Sequence, residues 1–267
     1  MRIVVVGVGN LGSAIVRSLM HAYAPKDIVL VERREEGRND LRAHHGCHVV
    51  PELSSQYRVE AGDLLILSVK PQDAVVAATN LAPFVSPDAV VLSVMAGVRI
   101  ETLSTILKTK RIVRAMPNLG ASIDESATGY YYSGSSLTPS DVEHVESLLS
   151  RLGKRWRVQK EELIDAITAV AGSGPAYLCW LGEHIEQVAI EFGISHEDAH
   201  AIVLQTFRGT ALYLEQSGLT FAELRRRVTS PQGTTAAALL VLAERRADES
   251  VRDAVVAAGK RACELGS

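Results

Sequence analysis

Three stretches of the chain carry residue types and spacings with chemical potential. The first is Gly7-Val8-Gly9-Asn10-Leu11-Gly12, which follows the apolar run IVVV and opens the helical pattern SAIVRSLMHAY. Glycines at this spacing permit a tight turn, close approach of backbone to a pyrophosphate, and close packing of helix on strand. The helix start adds unpaired N–H groups and a partial positive charge. A second apolar run ends at Glu32, twenty residues after Gly12, where a carboxylate would accept a hydrogen bond from an adenosine ribose. The pattern predicts dinucleotide binding by Gly7, Gly9, Asn10, Leu11, Gly12 and Glu32. Arg33 and Arg34 follow at once and could clamp a 2′-phosphate that Glu32 would repel, so NADPH and NADH both stay open. The plainer alternative for ERREE is a solvated charged loop.

The second stretch, Ala171-Gly172-Ser173-Gly174-Pro175-Ala176-Tyr177, breaks a helical pattern with two glycines and restarts it with proline at a first-turn position. The third, Val228-Thr229-Ser230-Pro231-Gln232-Gly233-Thr234-Thr235, does the same, with Ser230 or Thr234 as the expected cap of the helix TTAAALLVLAE. Each exposes a fresh helix N-terminus among hydroxyls and glycine, an arrangement suited to a small anion such as a carboxylate.

The elements that must hold these stretches are legible from hydrophobic patterning. Short runs at 3–7, 28–32, 64–69, 90–96 and 111–118 alternate with helix-length segments, which predicts crossover units and a parallel sheet. The runs are apolar throughout, as expected of strands covered on both faces. Their carboxyl ends face the ligand crevice of an open α/β sheet. There lie Ser68-Val69-Lys70-Pro71, Ala96-Gly97 and Asn118, with a nicotinamide as the expected neighbour of these tips; the structural alternatives are a turn at Lys70-Pro71 and a helix cap at Asn118. A last strand is expected at 155–159, after an acidic helix from about Asp141 to Arg151 capped by Thr138 or Ser140. Beyond Lys160 the patterns are helical, with Ser195 as a start and Gly193 and Gly218 as stops. The expected organisation is a Rossmann-type α/β domain over 1–160 and an all-α domain over 161–267.

Composition excludes other classes. With 47% hydrophobic and 22% charged residues and a net charge of −3, the chain reads as globular, without the clustered basic residues that nucleic acid or a membrane surface requires. No apolar run approaches a membrane span, and MRIVVVGVGNLG is too short for a signal core, so a cytoplasmic protein is expected. Cys47, Cys179 and Cys263 are far apart and odd in number, which points to structural burial of each and not to disulfides. His44, His45 and His48 around Cys47 read as a polar helix end and turn, because no second ligand cluster with zinc spacing follows; no metal is expected.

The order GVGNLG, SVKPQ, VMAGV, VRAMPN, AGSGPAYL and VTSPQGTTAAALLVLAE resembles pyrroline-5-carboxylate reductase from end to end. The resemblance implies an N-terminal dinucleotide-binding domain and a helical domain through which subunits interlock as dimers, often assembled further into decamers. It implies reduction of a cyclic imino acid, L-1-pyrroline-5-carboxylate, to L-proline with NADPH or NADH. Ser230, Gly233, Thr234 and Thr235 would hold the substrate carboxylate, with Thr235 nearest the ring nitrogen as the catalytic group and Ser173 as a further substrate-binding residue. Hydride transfer to C=N needs no positioned base, and the scarcity of lysine agrees: Lys160 and Lys260 alone lie in the helical half, neither in the helix after Gly174, where a β-hydroxyacid dehydrogenase would want one.

The chain departs from the family pattern at three points. It has Gln232 where the family usually has glycine, Glu32 where it usually has asparagine, and Leu119-Gly120 after MPN instead of Thr-Pro. Ser55 aligns with a family asparagine near the adenosine ribose, and Arg33 matches a family arginine. The competing expectations are a reductase of another cyclic imino acid and a non-catalytic dinucleotide-binding homologue.

Overall fold

The computed structural model describes residues 1–44 and 46–265, which divide into two compact units, one of 1–173 with 257–265 and one of 174–256. The strands are β1 (Ile3–Val6), β2 (Ile28–Val31), β3 (His48–Val50), β4 (Leu64–Leu67), β5 (Val90–Ser93), β6 (Ile112–Met116), β7 (Ser126–Tyr131) and β8 (Gly153–Arg157). The first unit's helices are α1 (Asn10–Met20), α2 (Glu35–His44), α3 (Ala74–Leu81), α4 (Ile100–Leu107), α5 (Pro139–Arg151) and α6 (Glu162–Ile167). The second unit holds α7 (Gly174–Glu191), α8 (His196–Ser217), α9 (Phe221–Arg227), α10 (Thr234–Glu244) and the start of α11 (Ala247–Glu264).

One eight-stranded sheet runs β3-β2-β1-β4-β5-β6-β7-β8. From β3 to β6 all pairings are parallel, with Ile3 of β1 beside Ile28 of β2 and Leu64 of β4. The order reverses between β1 and β4, the switch point at which such sheets bind ligands. Strands β1, β2, β4 and β5 are buried along their whole length, which is why their sequences lack polar alternation. Successive residues feed two cores on opposite faces: Ile3, Val5, Ile66 and Leu92 pack under α1 and α5, and Val4, Val6, Leu65 and Val91 pack under α3 and α4.

Two strands go beyond the sequence expectation. The short β3 extends the sheet beside β2, and β7 pairs antiparallel with β6. Strand β8 is then parallel to β7, so the sheet is mixed at that edge. Gly129 gives β7 its closeness to α6, since a Cβ there would collide with Ile167 Cδ1. Helix α5 begins as a capping box: Thr138 accepts from the Asp141 N–H at 3.3 Å, and Asp141 accepts from the Thr138 N–H at 2.8 Å. Arg111 also reaches the Asp141 carboxylate.

In the second unit, Ser195 caps α8 by accepting from the Asp198 N–H, and Gly218 ends it in the left-handed region at φ 65°. Gly182 of α7 lies under Phe207 of α8, where an added Cβ would stand 3.2 Å from the ring. Much apolar surface is uncovered in the single chain: Leu178, Trp180, Ile185 and Leu240 are exposed, and Phe192 is 83% exposed. Burial of all three cysteines is not found. Cys47 is half-buried with its Sγ 3.3 Å from Met20 Sδ, while Cys179 and Cys263 are exposed, Cys179 on the open surface of α7. Of the histidine cluster, His44 ends α2, His48 lies in β3 and His45 falls outside the described residues. Among the described residues no group of His, Cys, Asp or Glu is arranged to hold a metal ion, and no helix is long and apolar enough to cross a membrane.

Burial raises the Asp141 carboxyl, but hydrogen bonds from Arg111 and Thr138 and the arginine charge hold it below its usual value. A depressed carboxyl stabilises the fold above its unfolded pKa near 4 and loses that contribution as pH falls through its folded value. Thr138→Ala is therefore expected to lower stability by about 1 kcal/mol in urea melts at pH 7. Asp141→Asn is expected to flatten the acid limb of the thermal melting profile below about pH 4; an unchanged limb would remove the assignment.

Candidate active site: a dinucleotide cradle and an open helix start

Gly7 leaves β1 at φ 87° and crosses the tip of β4, where a Cβ would stand 2.8 Å from Ser68 O and Val69 N. Only glycine fits both the angle and the gap. Gly12 of α1 backs onto the Gly7 carbonyl, where a Cβ would collide, with Ser68 Oγ 3.4 Å away. Gly9, by contrast, faces open space and is the N-cap of α1, without a side-chain cap on the helix's first N–H groups. Gly9 and Asn10 are exposed, while the Leu11 side chain packs partly on the core and leaves its N–H at the helix start. The protein's own packing therefore leaves room beside Gly9 at the start of α1. An open helix start over a glycine turn fits the pyrophosphate of a dinucleotide.

Glu32 follows β2 with a buried carboxylate, but it is turned back on its own chain. Its Oε1 accepts from the Arg34 N–H at 3.0 Å and from Arg34 Nε at 3.1 Å. Burial raises this carboxyl, yet the Arg34 backbone and side-chain bonds, the Arg34 charge and the Val8 N–H together hold it below its ordinary value. Arg38 folds over the same strand end, donating to Glu32 O at 3.2 Å and Arg33 O at 2.5 Å. The Arg34 side chain is 75% exposed and Arg33 is exposed, so basic groups and not the carboxylate face solvent. This outcome lay outside the simple opposition of Glu32 to Arg33 and Arg34.

The other strand tips divide. Lys70 is exposed at the turn into Pro71–Asp73, as the turn alternative had it. After β5, only Ala96 is half-exposed between buried Met95 and buried Gly97, and Gly97 has φ 75°. Asn118 caps the short 3-10 helix Leu119–Ile123 by accepting from the Gly120 N–H at 3.1 Å, and its Nδ2 donates to Ala171 O at 3.1 Å. Arg17 of α1 holds that turn from the other side through Ser122 O, Ala121 O at 3.2 Å and Asp124 at 3.1 Å.

Residues Thr168–Gly172 form a turn of π-helix, closed by the Ser173 N–H donating to Thr168 O at 2.9 Å. Such turns concentrate at functional sites. Gly172 lies against Met116, and Ser173 is half-buried at its end.

In the helical unit, α10 starts differently from expectation. Neither Ser230 nor Thr234 caps it; the N-cap is Gly233, extended at φ −80° and ψ 172°, with no side-chain hydrogen bond. The Gly233 N–H donates to Ser230 O at 3.1 Å, which closes a turn over Pro231 and Gln232. Gln232 holds φ 60°, the position of a type II turn that favours glycine. A Cβ on Gly233 would collide with Ser230 Oγ. The helix therefore opens with its early N–H groups uncapped by any side chain, beside exposed Ser230 and Thr234 and half-buried Thr235.

Sequence reasoning passed over one group. Arg114 of β6, 1% exposed, pairs with Asp165 at 2.6 Å and Glu161 at 3.2 Å, and Arg99 meets Asp165 at 3.0 Å. An arginine inside an apolar strand was the available signal, because a buried charge demands partners.

Comparison with known proteins accords with this geometry. Residues 161–265 match the family described as pyrroline-5-carboxylate reductase dimerisation, and residues 2–97 match the family described as NADP oxidoreductase coenzyme F420-dependent. The chain is 32% identical to pyrroline-5-carboxylate reductase 2 of Bacillus subtilis, across 97% of this chain and 93% of that protein. It is 34% identical to the pyrroline-5-carboxylate reductase of Pseudomonas aeruginosa, across 99% and 96%. The solved structure of a pyrroline-5-carboxylate reductase from Coxiella burnetii superposes with a TM-score of 0.87 at 29% identity, across 100% of this chain and 98% of that one. The glycine cradle, the open start of α10 and these full-length matches place the chain in the pyrroline-5-carboxylate reductase family.

Proposed function

We propose that the protein reduces L-1-pyrroline-5-carboxylate to L-proline, the last step of proline biosynthesis, with NADPH or NADH as reductant. The observation that carries the reading is the start of α10, where early N–H groups stand uncapped by any side chain beside Ser230, Thr234 and Thr235. A substrate carboxylate satisfies those donors and the positive end of the helix. Thr235 is assigned nearest the ring nitrogen, and Ser173 is assigned as a further substrate-binding residue.

The reduced cofactor, when bound, supplies the hydride that adds to the C=N carbon. The chain's contribution is placement: Gly7, Gly9, Asn10, Leu11 and Gly12 receive the pyrophosphate, and Ser68, Val69, Lys70, Pro71, Ala96, Gly97 and Asn118 flank the rest. Arg33 and Arg34 take a 2′-phosphate, with Glu32 holding Arg34 in place. The ring nitrogen takes its proton from solvent, so no buried acid–base pair is required. Rate enhancement comes from orientation of the two reactants. We further assign the protein to the cytoplasm, as a dimer through its exposed apolar helices and then as a decamer built from dimers.

A steady-state assay crossing both nicotinamides with several cyclic imines tests the reaction, and turnover of another imine but not of the 5-carboxylate would defeat it. Thr235→Ala is expected to lower kcat/KM for the imine by about 10- to 100-fold, the scale of a hydrogen bond to a charged group, while leaving cofactor affinity unchanged. Equal loss of both would refute the substrate assignment. Arg34→Ala is expected to cut the ratio of NADPH to NADH kcat/KM by about tenfold, and an unchanged ratio would detach Arg34 from the phosphate. Light scattering is expected to show at least a dimer; a monomer at working concentration would contradict the assembly.

A further inference from the structure

The segment between β5 and α4, Val94–Arg99, is held by residues far away in the chain. At its end the Ile100 N–H, a first-turn donor of α4, meets no local cap: Arg99 is the N-cap and gives no side-chain bond. Glu161, at the entry to α6, supplies the acceptor instead, with Oε1 2.8 Å from Ile100 N. The same oxygen takes Arg114 Nη1 at 3.2 Å. Arg99 itself is drawn to Asp165 at 3.0 Å, and Asp165 is 2% exposed, pinned by Arg114. In the middle of the segment, Gly97 lies under Leu265, just past the end of α11: a Cβ on Gly97 would stand 2.6 Å from Leu265 Cβ and 2.8 Å from its carbonyl carbon. Cys263, two residues earlier, has its Sγ 3.7 Å from Asp165 Oδ2.

The strap is thus clamped at both points by residues outside the dinucleotide-binding segment, and Ala96 is the only one of Val94–Val98 left half-exposed. Main-chain placement of this strap fixes where a nicotinamide ring can lie, because the strap follows a central strand at the carboxyl end of the sheet. We propose that Glu161 is a positioning residue for the nicotinamide half of the cofactor: by capping α4 from α6 it holds the Val94–Arg99 strap, with Leu265 as its second support. The proposal rests on the assignment of Ala96 and Gly97 to cofactor binding. It makes the strap's order a property of the carboxylate's acceptor oxygen and not of its charge alone.

The test measures binding of NADPH by its fluorescence, and of 2′,5′-ADP, which lacks the nicotinamide, by calorimetry, on the full-length protein without imine. Glu161→Ala is expected to weaken NADPH by about fivefold, the scale of a lost N-cap, and to leave 2′,5′-ADP within about twofold. Glu161→Gln keeps an acceptor oxygen and is expected to restore NADPH affinity to within about twofold of wild type. Should Glu161→Ala fail to fold, Leu265→Gly removes the Cβ that stands over Gly97 and is expected to give the same split. Equal weakening of both ligands, loss of neither, or a Glu161→Gln variant as weak as Glu161→Ala overturns the proposal. A wild type that binds NADPH but reduces no cyclic imine would defeat the proposed reaction while leaving this comparison readable.

Discussion

Arg114 is a full charge in the interior of a sheet, and the protein's arrangement around it follows from that fact. A buried guanidinium unpaired would be costly, and removing one partner from such a pair costs about 3–5 kcal/mol. Its two carboxylates are Glu161, just before α6, and Asp165 within it, so the chain leaving β8 returns to the middle of β6 before it enters the helical unit. That return brings the π-turn at Thr168–Gly172 against Met116 and Asn118, and brings Glu161 to the start of α4. One ion-paired cluster thereby ties together the tip of β6 and the start of α4.

The sheet's centre was readable from hydrophobic patterning, because strands buried on both faces run as continuous Val, Ile and Leu. Its margins were not. Strand β3 is three residues long, and β7 carries Ser126, Thr128 and Gly129 among its six, too polar and too small to stand out from a loop. What makes β7 a strand is its neighbours: β6 on one side, β8 on the other, and Ile167 filling the space above Gly129. These are contacts at long sequence separation, which local patterning does not encode.

The site shows the same division. Glycine spacing and hydroxyl-rich breaks located the two helix starts, since backbone requirements leave a mark on residue type. Side-chain partnerships left a weaker one. Glu32 looked like a free acceptor and is instead occupied by Arg34; Asn118 looked equally like a ligand and a cap, and its amide is engaged at both ends. Ser230 and Thr234 have the right chemistry for caps, but the Pro231 turn sends the chain into α10 through Gly233. Hydrogen-bond choice depends on angles fixed by the turn, and those are invisible in a list of residue types.

Gln232 shows what that turn is made of. It sits at φ 60°, a conformation that suits glycine, and the loop keeps its shape with an ordinary side chain there. The geometry is therefore written in the residues on either side: Pro231, which fixes the entry, and Gly233, whose missing Cβ makes room for the Ser230 hydroxyl. Position 232 is exposed and is free to vary in chemistry at the modest penalty of a left-handed residue, about 1 kcal/mol. The loop thus separates the residues that set its shape from one exposed position whose side chain can change without changing the turn.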